Sequence, residues 1–167
     1  GLIVEDPIRI TELEEFHKGY FTIQDESSML VAQILSPREN SVVLDLCSAP
    51  GGKSTHMAQI MNNRGRIISC DIYDHKLDLV KENADRLGIT IIETKKQDAL
   101  ELNEDFIEKM DYVLVDAPCS GLGIIRRRPE IKWNRKEKDI ESLSNMQKII
   151  INNAGKYLKP GGVMVYS

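Results

Sequence analysis

Apolar positions recur along this chain in two alternating rhythms. Continuous apolar runs at 42–46, 66–70, 89–93, 112–115 and 163–166 read as strands buried on both faces. Between them the apolar residues take helical spacing. Leu30, Val31, Ile34 and Leu35 predict one face of a helix capped by Asp25 and running to about residue 35. A second helix is expected over 53–61, stopped by Asn62-Asn63-Arg64-Gly65. A third, capped by Asp74, keeps Leu77, Val80, Ala84 and Leu87 in register until Gly88 ends it. A short helix is expected over 104–110, and a long one carries Ile140, Leu143, Gln147, Ile150 and Tyr157. Lys159-Pro160-Gly161-Gly162 then turns into the fifth strand. Residues 1–24 have neither rhythm and read as an irregular or partly extended lead-in.

Strands alternating with helices predict an α/β fold, a mostly parallel sheet with helices on both faces. Residues 25–167 form one such domain, with no repeat, linker or low-complexity tract to suggest a second. In open sheets of this kind ligands bind beyond the carboxyl ends of the strands, near the switch in strand order. The unusual residues of the chain all fall at such ends: the turn from Cys47 to Lys53, then Asp71, Asp98 and Asp116.

Composition narrows the class without naming a chemistry. The chain has 167 residues, 41% hydrophobic and 29% charged, as expected of an ordinary globular protein. Apolar stretches such as 149–151 are far too short to span a bilayer, so a soluble, cytoplasmic protein is expected. The three cysteines, Cys47, Cys70 and Cys119, include no C-x-x-C pair, which argues against a zinc site or a disulfide framework. Cys70 reads as a buried structural thiol, and no metal is expected. The net charge is −4, yet residues 122–138 carry seven basic side chains against two acidic ones. A basic loop on an acidic body points to a polyanionic partner.

The glycine-rich turn Asp45-Leu46-Cys47-Ser48-Ala49-Pro50-Gly51-Gly52-Lys53-Ser54-Thr55 admits three nucleotide-site readings. A Walker A loop needs glycine five residues before Gly52, where this chain has Cys47, and Pro50 removes a backbone amide. The G-x-G-x-x-G dinucleotide fingerprint is also absent, which disfavours a dehydrogenase. A nucleoside without a phosphate linker fits best. Adjacent Gly51 and Gly52 admit close approach of a ligand, Asp71 can accept both ribose hydroxyls, and Asp98 can meet an adenine amino group. S-adenosylmethionine presents those groups together with a sulfonium.

Four segments carry a resemblance. Leu46-Cys47-Ser48-Ala49-Pro50-Gly51-Gly52-Lys53 and Asp116-Ala117-Pro118-Cys119-Ser120-Gly121-Leu122-Gly123 resemble the signature motifs of the Sun/Fmu RNA cytosine-5 methyltransferases. Gly19-Tyr20-Phe21-Thr22-Ile23-Gln24-Asp25-Glu26-Ser27-Ser28 resembles the lead-in motif of that family, and Arg127-Arg128-Pro129-Glu130-Ile131-Lys132-Trp133 its substrate-side loop. The similarity extends over nearly the whole chain. It implies the Rossmann-like class I methyltransferase fold, S-adenosylmethionine as cofactor, and RNA as partner. Small-subunit (16S) ribosomal RNA is the expected substrate, with transfer RNA as the alternative.

By the same resemblance Cys47, Ser48, Ala49, Pro50, Gly51, Gly52 and Lys53 line the cofactor site, with Asp71 at the ribose and Asp98 at the adenine. Asp116 stands near the methionine end and positions or protonates the target base. Cytosine C5 becomes nucleophilic when a thiolate adds to C6, and a base must later remove the C5 proton so that the enzyme is released. In the family the added thiolate belongs to a second cysteine motif, and the Pro-Cys thiol, here Cys119, assists release. This chain stops at Val165-Tyr166-Ser167, where the family continues with that motif and two more strands. It is therefore expected to be a core fragment, truncated after the fifth strand, that binds cofactor but turns over little or no RNA; a non-catalytic binding module is the rival. Arg126, Arg127, Arg128 and Lys132 are expected to meet phosphates. Trp133 either helps order the loop or packs against the body. His17, His56 and His75 read as surface or helix residues, and Met57 and Met61 as core.

Overall fold

A computed structural model describes residues 9–126, 129–130, 133 and 137–167. Five strands, β1 (Val42–Asp45), β2 (Arg66–Asp71), β3 (Ile92–Lys96), β4 (Met110–Val115) and β5 (Leu158–Tyr166), form one sheet in the order β3-β2-β1-β4-β5. Every neighbouring pair is parallel. The chain builds outward from β1 to β2 and β3, then returns to the other side of β1 for β4 and β5. The strand order therefore switches between β1 and β4, and the crevice lies there.

Among the described residues, helices α1 (Glu14–His17), α2 (Glu26–Leu35), α3 (Gly52–Ile60), α4 (Asp74–Arg86) and α5 (Glu137–Tyr157) accompany the sheet. Strand side chains alternate between two cores. Val43, Ile67 and Leu114 pack with Ala32, Leu35, Met57, Met61 and Ala84 of the α2–α4 layer. Leu44, Ile68, Val113 and Val115 pack with Ile150, Ala154 and Tyr157 of α5 on the other face. Met57, Met61 and Cys70 are fully buried, as the sequence indicated.

Several boundaries differ from the sequence reading, each for a tertiary reason. β3 starts three residues later than expected and ends in Lys95-Lys96, because its register follows β2, from Ile67 opposite Ile92 to Asp71 opposite Lys96. Polar residues are tolerated there since β3 is an edge strand. The segment expected as a helix over 104–110 is a single 3-10 turn, Glu104–Phe106, and Met110 already pairs with Leu158 in the sheet. Pro160-Gly161-Gly162 forms an irregularity inside β5 rather than a turn before it. Asp74 is the first residue of α4 and Tyr73 its cap; Asp74 instead bonds Lys96 Nζ at 2.5 Å. Helix α2 does begin after Asp25, but it buries Ala32 and Leu35 and leaves Leu30 and Ile34 54% and 68% exposed.

The lead-in is more ordered than its lack of rhythm implied. A 3-10 turn (Ile10–Glu12) and α1 bring it onto the end of α4. There the Arg86 guanidinium donates to Phe16 O (2.8 Å) and Phe21 O (3.1 Å) and stacks 4.0 Å from the Phe16 ring centre. Gly19 passes so close that a Cβ there would meet Arg86 O at 1.9 Å.

Candidate active site

The glycine-rich turn leaves β1 and enters α3 under tight restraint. Ser48 donates to Cys70 O through both its amide (2.8 Å) and its hydroxyl (3.0 Å), which pins the turn to the end of β2. Asn83 of α4 donates to Pro50 O at 3.0 Å. Gly51 has φ +98°, and a Cβ there would sit 3.1 Å from Val80 Cα, so the turn both needs a left-handed residue and has no room for a side chain.

Beyond this turn lies a cavity of about 480 Å³ at the switch in strand order, a size suited to a small ligand. Cys47 and Ala49 form one wall, and Asp71, Asp98 and Asp116 line it from beyond three strand ends. Asp71 Oδ1 accepts from Tyr73 N at 3.1 Å and lies 3.8 Å from Lys76 Nζ. Asp98 Oδ1 accepts from Leu100 N at 2.9 Å, and Asp116 Oδ2 accepts from Lys53 Nζ at 2.5 Å. These bonds hold each carboxylate in place from its own loop or from a neighbouring one.

Behind the cavity a second polar group is sealed from solvent. Asp45 Oδ2 accepts from Ser54 Oγ at 2.6 Å, and Ser69 Oγ donates to Ser54 Oγ at 2.9 Å. Burial pushes the Asp45 carboxyl up to about 7, the Ser54 bond opposing and the Asp116 charge adding to the rise. Burial also pushes the Cys47 thiol up to about 12, reinforced by Asp45, Asp71 and Asp116. Cys70 is raised to about 12 in the same way, chiefly by burial. Neither thiol is ionised near neutral pH, whereas Cys119 is exposed in the loop after β4, next to Pro118 on the cavity wall.

The sequence-read residues thus separate into groups. Cys47, Ala49, Asp71, Asp98 and Asp116 meet around one cavity. Ser48, Pro50, Gly51, Gly52 and Lys53 frame it without lining it, Lys53 acting through Asp116. Arg126 is exposed; Arg127, Arg128 and Lys132 lie outside the described residues. Trp133 is 80% exposed. His56, read as a surface or helix residue, is half-buried on α3, and burial lowers its pKa. Sequence reasoning missed Ile72, Lys76, Met146 and Ile150 as cavity wall. Ile150 was visible only as part of a helix face, and nothing local marks Met146 or Lys76 as a site residue.

A family described as 16S rRNA methyltransferase RsmB/F matches residues 32–167. The chain belongs to this family. A probable ribosomal RNA small subunit methyltransferase B from Bacillus subtilis strain 168 is 45% identical over 173 residues, covering 100% of this chain and 39% of that protein. A tRNA (cytosine(72)-C(5))-methyltransferase of Pyrococcus horikoshii is 42% identical over 158 residues, covering 95% of this chain and 40% of the relative. The crystal structure of NSun6 from Pyrococcus horikoshii with SFG, an S-adenosylmethionine analogue, superposes with a TM-score of 0.86 at 41% identity. That match covers 94% of this chain and 40% of the solved one. The fold is the Rossmann-like methyltransferase fold, here with a sheet that is wholly rather than mostly parallel. The RsmB/F chain spans about two fifths of the length of these relatives.

Proposed function

We propose that this chain is the cofactor-binding core of an S-adenosylmethionine-dependent RNA cytosine-5 methyltransferase acting on small-subunit (16S) ribosomal RNA. The observation that carries it is the meeting of Asp71, Asp98 and Asp116 around one cavity, with Cys119 one residue beyond the Pro118 wall. A relative with 45% identity named for ribosomal RNA supports the substrate; the 42% identical transfer-RNA enzyme makes transfer RNA the second choice. Residues 25–167 act as one catalytic domain, with residues 1–24 as its lead-in. The protein works in the cytoplasm beside its RNA; among the described residues no helix is long and apolar enough to cross a membrane.

The donor set fits a nucleoside cofactor. Asp71, at the end of β2, takes the ribose hydroxyls, and Asp98 the adenine amino group. The turn Cys47–Lys53, with Cys47 and Ala49 on the cavity wall, receives the amino-acid end. Bound S-adenosylmethionine supplies an electrophilic methyl group. Asp116, held by Lys53, hydrogen-bonds the pyrimidine edge and steadies the ring as C6 is attacked. Cys47 and Cys70 are excluded as the attacking thiol, because burial keeps them protonated. Cys119 assists product release, and the attacking thiol implied by the family is none of the three cysteines present. The target base enters unstacked, from single-stranded RNA. Arg126, Arg127, Arg128 and Lys132 meet phosphates and give sequence-blind, salt-dependent affinity. No step calls on a metal.

Calorimetry tests the cofactor assignment directly. S-adenosylhomocysteine binds this chain while ATP and NAD do not, and Asp71→Ala weakens it by roughly tenfold or more, as loss of charge-assisted hydrogen bonds implies. Tight ATP or NAD binding, or indifference to Asp71→Ala, overturns it.

A further inference from the structure

The inward face of α5 reaches two of the loops that wall the cavity. Gln147 Nε2 donates to Pro118 O at 2.8 Å. Six residues on, Asn153 Nδ2 donates to Ala99 O at 3.2 Å and Leu100 O at 3.1 Å, on the loop that carries Asp98. Between them Met146 and Ile150 form cavity wall. Six residues of helix span about 9 Å, so one rigid element braces the Cys119 loop at one point and the Asp98 loop at another.

The contact at Pro118 has a specific mechanical consequence. The Pro118 carbonyl and the Cys119 amide belong to one planar peptide unit, so holding the oxygen fixes the plane from which the Cys119 side chain departs. The loop itself has neither helix nor strand from Asp116 to Gly121. Its start is tied by the Lys53–Asp116 pair and by Ala117 N donating to Ser167 O at 3.2 Å. Gln147 supplies the next restraint toward the thiol, from outside the loop. We propose that Gln147 is a positioning residue for Cys119, orienting its thiol through the Pro118–Cys119 peptide. The inference rests on Cys119 being the working thiol of the proposed reaction.

Alkylation by iodoacetamide, followed by mass spectrometry on the native chain, tests it. Cys119 is exposed, while Cys70 is buried and Cys47 mostly so, both with thiols pushed up to about 12; labelling therefore reports Cys119, and Cys119→Ser gives the baseline. Gln147→Glu keeps the size and removes the donor. It is expected to accelerate alkylation by about fivefold, the factor one hydrogen bond is worth. Gln147→Lys restores a donor and returns the rate toward that of the native chain. Asn153→Ala serves as the structural control: it weakens S-adenosylhomocysteine binding and leaves the Cys119 rate as it was. An unchanged rate in Gln147→Glu overturns the proposal, and so does equal acceleration in Asn153→Ala. The functional assignment fails separately, if Cys119→Ala in the full-length enzyme leaves product release unaltered.

Discussion

Lys53 Nζ bonds Asp116 Oδ2 at 2.5 Å, joining the first turn of α3 to the loop after β4 across the switch in strand order. The lysine side chain is largely buried and the aspartate half-buried, so the pair is better shielded than a surface bridge. Lys53→Met and Asp116→Asn are each expected to lower stability by about 1 kcal/mol, the lysine variant more, since it leaves a carboxylate unpaired. Thermal melts of the two single variants and the double variant check this. The double variant should cost clearly less than the two singles added, and strict additivity would rule out the coupling.

Asp45 makes stability depend on pH in an unusual direction. A carboxyl held near 7 in the folded chain and near its ordinary value when unfolded favours folding most below about 4. The unfolded chain ionises first as pH rises, so this contribution is lost progressively between about 4 and 7 and is gone above the folded value. Asp45→Asn removes the titration while keeping a side-chain oxygen for Ser54. The difference in melting temperature between Asp45→Asn and the native chain should therefore move in favour of the variant as pH rises from 4 to 7. A difference that stays flat across that range contradicts the assignment.

Gly51→Ala tests the cofactor turn. At φ +98° an alanine is strained, and its Cβ is driven to within 3.1 Å of Val80 Cα. A stability loss of about 1–3 kcal/mol is expected from the backbone alone. Because the turn must shift to relieve the contact, S-adenosylhomocysteine affinity should fall by roughly tenfold or more, a loss of about 1.4 kcal/mol. Calorimetry on the folded variant separates the two effects, and unchanged affinity would show that the turn is not part of the ligand site.

The strands and their ends were legible because each core strand is apolar on both faces: Val43 and Leu44 feed opposite cores, and such runs announce themselves in one dimension. The polar residues that follow them stand out for the same reason, which is why Asp71, Asp98 and Asp116 could be named before any fold was seen. The edges were harder. β3 carries Thr94, Lys95 and Lys96 into the sheet because pairing with β2, not hydrophobicity, sets its register. On α2 the spacing put Leu30, Val31, Ile34 and Leu35 on one face, whereas packing against α3 buried Ala32 and Leu35 and left Leu30 and Ile34 exposed.

By itself, then, the sequence determined the alternation of elements, the parallel sheet and the identity of the acids at its carboxyl ends, all consequences of local periodicity and turn chemistry. The tertiary structure alone decided which of those residues meet. It brought Lys53 to Asp116 over 63 positions, sealed Asp45 behind Ser54 and Ser69, and set Gln147 of α5 against Pro118 over 29. The physical reason is that such contacts depend on strand order and helix packing, which no periodicity along the chain encodes.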